Sequence, residues 1–215
     1  MKIWNAISAS DAGHELLSGF LKANPEAEIC FDFKDLGEGT IRGNAGYPID
    51  GIITININSN SESMGRPQLE VARTILHEMI HAELIRMIVE AGGYDDLQQF
   101  ASTYEGDDPF MMIWNFYEQY GTFSDDPNNT GWQHEYMANY YIGFIADALT
   151  VLGPDLLSPQ FQSYVSIVTP ADLPWSWDDF YSYVAWGGLQ KTEQFQTDIV
   201  NLGLEDVYDW LPRFK

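Results

Sequence analysis

Cysteine, positive charge and histidine are all scarce in this chain, and each scarcity excludes something. Of 215 residues one is a cysteine, Cys30. No intrachain disulfide can form, and a cysteine zinc ribbon cannot be built. Ten lysines and arginines stand against 32 aspartates and glutamates, a formal net charge of −22 with no basic cluster. Such a surface repels phosphate backbones, so nucleic acid is not an expected partner. No apolar run approaches the ~20 residues of a membrane span, and no membrane partner is expected. Residues Met1 to Ile7 lack a long apolar stretch ahead of a small-residue cleavage site, so the expected location is cytoplasmic.

What is present suits a folded globule. Hydrophobic residues make up 45% and aromatics 14%, enough for one good core but hardly for two. The expectation is a single domain over residues 1–215. No repeat, low-complexity segment or linker divides it.

Histidine occurs four times, at His14, His77, His81 and His134. Two of the four fall in Leu76-His77-Glu78-Met79-Ile80-His81-Ala82, a His-Glu-x-x-His pattern inside an apolar run of helical spacing. On a helix, residues four apart share a face, so both imidazoles can address one ion. Neutral imidazole suits Zn²⁺, at roughly 2.0–2.1 Å. Glu78 is turned by about 100° from His77, out of ligand position but within reach of a water beside the metal, as a general base requires. The pattern predicts one zinc ion per chain, held by His77 and His81, with Glu78 catalytic. His14, alone near the start of an amphipathic helix over Ser10 to Lys22, reads as an ordinary partly exposed side chain.

Strands are expected at Glu28 to Phe33 and at Gly51 to Asn58, with a glycine- and asparagine-rich arm from Gly37 to Pro48 between them. The active helix is expected from about Gln68 to Glu90, entered after Pro67 and stopped by Gly92-Gly93. Tyr94 to Tyr104 and Pro109 to Tyr120 have helical spacing, and Gly121 to Gly131 reads as a loop. The aromatics Phe110, Trp114, Phe116, Tyr117 and Tyr120 read as core rather than as a ligand cage. One long helix is expected from Trp132 to Leu152, closed by Gly153-Pro154. Short helices follow: a cap in Trp175 to Asp179, then Tyr181 to Leu189, Thr192 to Val200 and Leu204 to Leu211.

A catalytic zinc takes three protein ligands and keeps one position open. The metzincin extension is absent, because Leu84 and Met87 replace the glycine and histidine it needs. The neighbours His134 and Glu135 compete for the third place. Glu135 to Asn139 resembles the glutamate-ligand segment of gluzincins. On a helical wheel centred on His134, Met137, Ala138, Tyr141, Ile145, Ala148 and Leu152 lie within about 60°, which makes His134 inward and Glu135 peripheral. The wheel favours His134 and leaves Glu135 as the alternative.

The 76–82 stretch, preceded by a strand over Gly51 to Asn58, resembles the catalytic core of the SprT-like (Spartan-related) zinc metallopeptidases of the zincin group. The resemblance spans roughly residues 28–145, with a helical part over about 155–215. It implies that His77, His81 and His134 bind zinc and that Glu78 is the catalytic acid/base. The expected fold is α+β and zincin-like, with a small, mainly antiparallel sheet on the active helix and a largely helical C-terminal half. The expected activity is zinc-dependent hydrolysis of a peptide or protein substrate, aligned on an edge strand near Gly43 to Ile57. Tyr136, Tyr140 and Tyr141 are candidate oxyanion donors. The alternative is a non-catalytic module whose zinc, with four protein ligands, supports protein binding.

Overall fold

A computed structural model describes residues 2–22, 25, 27–38, 41–60, 65–103, 108–120, 131–157 and 176–200. The expected loop at 121–130, the expected helix at 204–211 and Trp175 lie outside them. The fold is α+β, with a small three-stranded sheet and mostly helices elsewhere.

Its axis is α3 (Gln68–Glu90), whose bounds are those set by Pro67 and the Gly92-Gly93 pair. Gly92 and Gly93 both have positive φ, and the Gly93 N–H donates back to Ile88 O at 2.9 Å, closing the helix. The helix is buried from Leu69 to Ile88 on almost every side, so it carries no polar face. The helices α1 (Lys2–Ser8) and α2 (Asp11–Leu17) pack against it on one side. Strands β2 (Gly43–Ala45) and β3 (Ile52–Asn58) cover another. In α2, the Ser10 hydroxyl caps the first turn by accepting from the Gly13 N–H at 3.1 Å, and His14 is exposed.

The sheet order is β1-β3-β2, with β1 (Glu28–Lys34) parallel to β3 over seven residue pairs and β2 antiparallel to β3 over three. The sheet is therefore mixed, and the expectation of a mainly antiparallel one is wrong. The chain leaves β1, passes to the far side and lays down β2. There β2 runs opposite to β1, and the chain turns back so that β3, in the middle, runs with β1. Asp50 and Gly51 make that turn with φ of 52° and 78°, as a two-residue hairpin turn requires, and Ile49 bridges Ile52 across it. The central position of β3 explains its alternation: Ile53, Ile55 and Ile57 are buried against α3.

After α4 (Tyr94–Ala101) and α5 (Pro109–Tyr120), the expected single helix from Trp132 to Leu152 is two. The first, α6 (Gly131–Tyr140), ends at Tyr141, whose φ of −117° departs from the regular helical value; α7 (Ile142–Leu156) follows. Gly153-Pro154 lies inside α7 rather than closing it. Gly153 has another reason: a Cβ there would collide with the Tyr181 ring of α8 (Trp177–Ala185). The Ser176 side chain caps α8 by accepting from the Asp179 N–H. The short α9 (Glu193–Phe195), capped by Thr192, runs into a π turn over Gln196–Val200. One buried cluster, from Ile7 through Ile199, unites these elements. Of α5, only Ile113 is fully buried, and its aromatics pack against that cluster as partly covered side chains.

Candidate metal centre

Adjacent turns of α3 place His77 and His81 on one face, and α6 brings His134 across to them. The His81 Nε2 lies 3.2 Å from His77 Nε2 and 3.1 Å from His134 Nε2. All three histidines offer a nitrogen within 4.8 Å of the others. Bonds of ~2.0–2.1 Å in tetrahedral array separate neighbouring ligand atoms by about 3.3–3.4 Å. The trio is spaced to hold a metal ion of that kind.

The protonation states agree. Burial depresses all three imidazoles, helped by neighbouring histidines at His77 and His81 and by Lys191 at His134: His81 falls to about 3, His134 to about 4, and His77 lies well below its ordinary value. Neutral rings are the ligating form. Gln133 Oε1 lies 2.5 Å from His81 Nδ1. An amide oxygen only accepts, so His81 carries its proton on Nδ1 and turns the Nε2 lone pair to the trio. His77 Nδ1, buried beside the Gly187-Gly188 turn, has no hydrogen-bond partner among the described residues. Arg73, one turn earlier on α3, donates to Gly187 O at 2.5 Å and holds that turn against His77.

Glu78 lies outside the trio, under β2. It is 6% exposed, and burial raises its carboxyl to about 8 even though Arg73 and the Ala45 N–H both pull it down. The contact is close. A Cβ on Gly43 would sit 2.9 Å from Glu78 Cγ and 3.1 Å from its Oε1, so only glycine lets β2 lie across this carboxyl. Arg42 O accepts from the Asn58 N–H of β3. By alternation the backbone groups of Gly43 and Ala45 face away from β3, and the N–H bonded to Glu78 belongs to the open edge of β2. The segment expected to supply one edge strand thus contains an edge, β2, and the sheet's centre, β3.

Asn58 fixes that arm. Its side chain, 1% exposed, donates to Gly37 O at 3.0 Å and Ile41 O at 2.8 Å. It accepts from Leu36 N at 3.2 Å and Asn60 N at 3.1 Å. All four of its bonding positions are used.

His134 and Glu135 part company, but not as the wheel suggested. Glu135 is the more buried, 8% exposed, while His134 is half-buried. The wheel ran through Tyr141 into Ile145, Ala148 and Leu152, residues of a different helix. Both carboxylate oxygens of Glu135 accept from the Glu193 N–H, at 3.0 and 3.1 Å, so Glu135 ties α6 to the start of α9 instead of joining the trio. Gln133 and Asn58 were missed in the sequence; nothing there distinguishes them from surface amides. The tyrosines lie in an aromatic cluster. The Tyr136 ring meets Phe116, Tyr140 and Tyr141, and Tyr140 is 48% exposed. Burial pushes Tyr141 up to about 12, with Glu83 and Glu15 adding to the rise. Among the described residues none of the three bonds to a histidine of the trio.

No family model, curated protein or solved structure matches this chain.

Proposed function

We propose that the protein is a zinc-dependent metallopeptidase, of the SprT-like kind that its His-Glu-x-x-His stretch resembles. The observation that carries this reading is the convergence of three neutral Nε2 atoms beside a buried glutamate that has no part in the trio. His77, His81 and His134 would hold the zinc. Bound there, the metal supplies Lewis acidity toward water and toward a scissile carbonyl. Burial raises the Glu78 carboxyl and makes it a stronger base when ionised. The carboxylate of Glu78 takes the proton of the attacking water and delivers it to the leaving amine nitrogen. The outward backbone groups of Gly43 and the outward C=O of Ala45 are those with which an extended peptide pairs, alongside Glu78. Arg73 and the Ala45 N–H orient that carboxyl.

Metal analysis and a peptide-substrate screen test this together. The expected result is about one zinc per chain and hydrolysis that disappears in Glu78→Gln with the metal retained. A protein that hydrolyses equally well as Glu78→Gln, or that binds no zinc, overturns the reading.

A further inference from the structure

The sheet's other edge, β1, lies away from the metal centre. The Glu28 N–H donates to Gly51 O at 2.8 Å and Lys34 O accepts from the Ser59 N–H at 2.9 Å. Glu28, Cys30, Asp32 and Lys34 therefore turn their backbone groups toward β3, and Ile29, Phe31 and Phe33 turn theirs outward. Among the described residues no strand pairs with that side. Its groups make only local contacts: the Phe33 N–H donates to Asp32 Oδ1 at 2.8 Å, and Cys30 Sγ lies 3.9 Å from Phe31 O. Phe33 is 62% exposed. An open edge of seven residues is a template for another strand.

The residues along β1 say which strand fits. Lay the strand antiparallel to itself about Phe31. Phe31 then faces Phe31, and each Ile29 faces a Phe33. These are the hydrogen-bonded positions of an antiparallel ladder, so all the outward N–H and C=O groups of both copies pair. On the opposite, exposed face each Glu28 meets a Lys34, and each Cys30 meets an Asp32. Like charges never stand directly opposed, and the uncovered Phe33 gains a cover. A two-residue shift either way leaves part of the edge unpaired.

The geometry points to β1 as a self-recognition edge: a second copy of this chain adds to it antiparallel, centred on Phe31, to give one continuous six-stranded sheet. The inference does not depend on zinc or peptidase activity. Asp32 tempers the pairing, because its carboxylate must first release the Phe33 N–H. The two net charges of −22 oppose approach, but at physiological salt screening confines that repulsion to about 8 Å.

Sedimentation velocity over a concentration series into the high micromolar range tests it, with sites that are exposed and outside the core. The expected result is a monomer–dimer equilibrium in the wild type, weakened about tenfold by Lys34→Glu, which opposes acid to acid twice. Adding Glu28→Lys to Lys34→Glu restores the dimer, and Asp32→Ala tightens it. In a Cys30→Ser background, Glu28→Cys with Lys34→Cys cross-links under oxidation into a covalent dimer, whereas neither cysteine does so alone. Cross-linking of the pair supports the proposal at any strength of dimer. A monomer at every concentration that also fails to cross-link, or a dimer indifferent to Lys34→Glu, overturns it.

Discussion

Two of the chain's three His-Glu dipeptides, His77-Glu78 and His134-Glu135, stand beside the same cluster, and their glutamates have different surroundings. Each histidine belongs to the trio. Each glutamate is buried, at 6% and 8% exposure. Glu78 rests under a strand edge beside Arg73 and the Ala45 N–H. Glu135 has both oxygens committed to the Glu193 N–H, at the start of α9, with α7 and α8 between them in the chain. Burial raises both carboxyls, so burial alone does not separate the acid proposed to react from the one that latches α6 to α9. What surrounds the two oxygens does.

That contrast can be broken at each point. The largest effect is expected at Glu78: Glu78→Gln should lower kcat by ~10²–10⁴-fold with zinc retained, whereas Glu135→Gln should change kcat by far less in the same steady-state assay. Next is His134→Ala, which removes a proposed ligand. It should weaken zinc by more than the ~10–100-fold that loss of a supporting group costs, while Glu135→Ala leaves zinc in place. Competition against a chelating dye measures both, and the reverse ranking would make Glu135 the ligand. Gln133→Ala removes the acceptor that orients His81, and about 10–100-fold in zinc affinity should go with it; an unchanged affinity would mean that Gln133 merely fills space. The smallest effect belongs to Glu135→Ala, about 1–2 kcal/mol of stability from the lost charged hydrogen bond, read by urea titration of zinc-loaded protein. No loss there would mean that the latch to Glu193 contributes nothing.

How far the sequence reveals this depends on whether the cause is local. Pro67, the apolar spacing and Gly92-Gly93 are local signals, and α3 has the bounds they predict. The histidine spacing within α3 is local too. The meeting of His134 with the other two depends on packing. It was anticipated from a wheel that spanned two helices, because Tyr141 carries neither glycine nor proline to mark the break between them. Gly153-Pro154 erred the other way: a stop signal in sequence, it is a close-approach site for Tyr181 within α7. The direction of β1 relative to β3 was beyond local reading, since it depends on where β2 inserts. The Asp50-Gly51 turn that governs this is a hairpin dipeptide, but Gly51 was expected to open the strand and the turn was missed.

The central placement of β3 has a consequence for the chain as it is made. Glu28 pairs with Ile52, 24 residues later. At ~5–20 residues per second of synthesis, β1 waits about 1–5 seconds after leaving the ribosome before its neighbour exists. The hairpin of β2 and β3 closes across its two-residue turn within about 1–10 microseconds once complete. The first strand translated is thus the last to be paired, and during that interval Phe31 and Phe33 stand open on both edges of their strand.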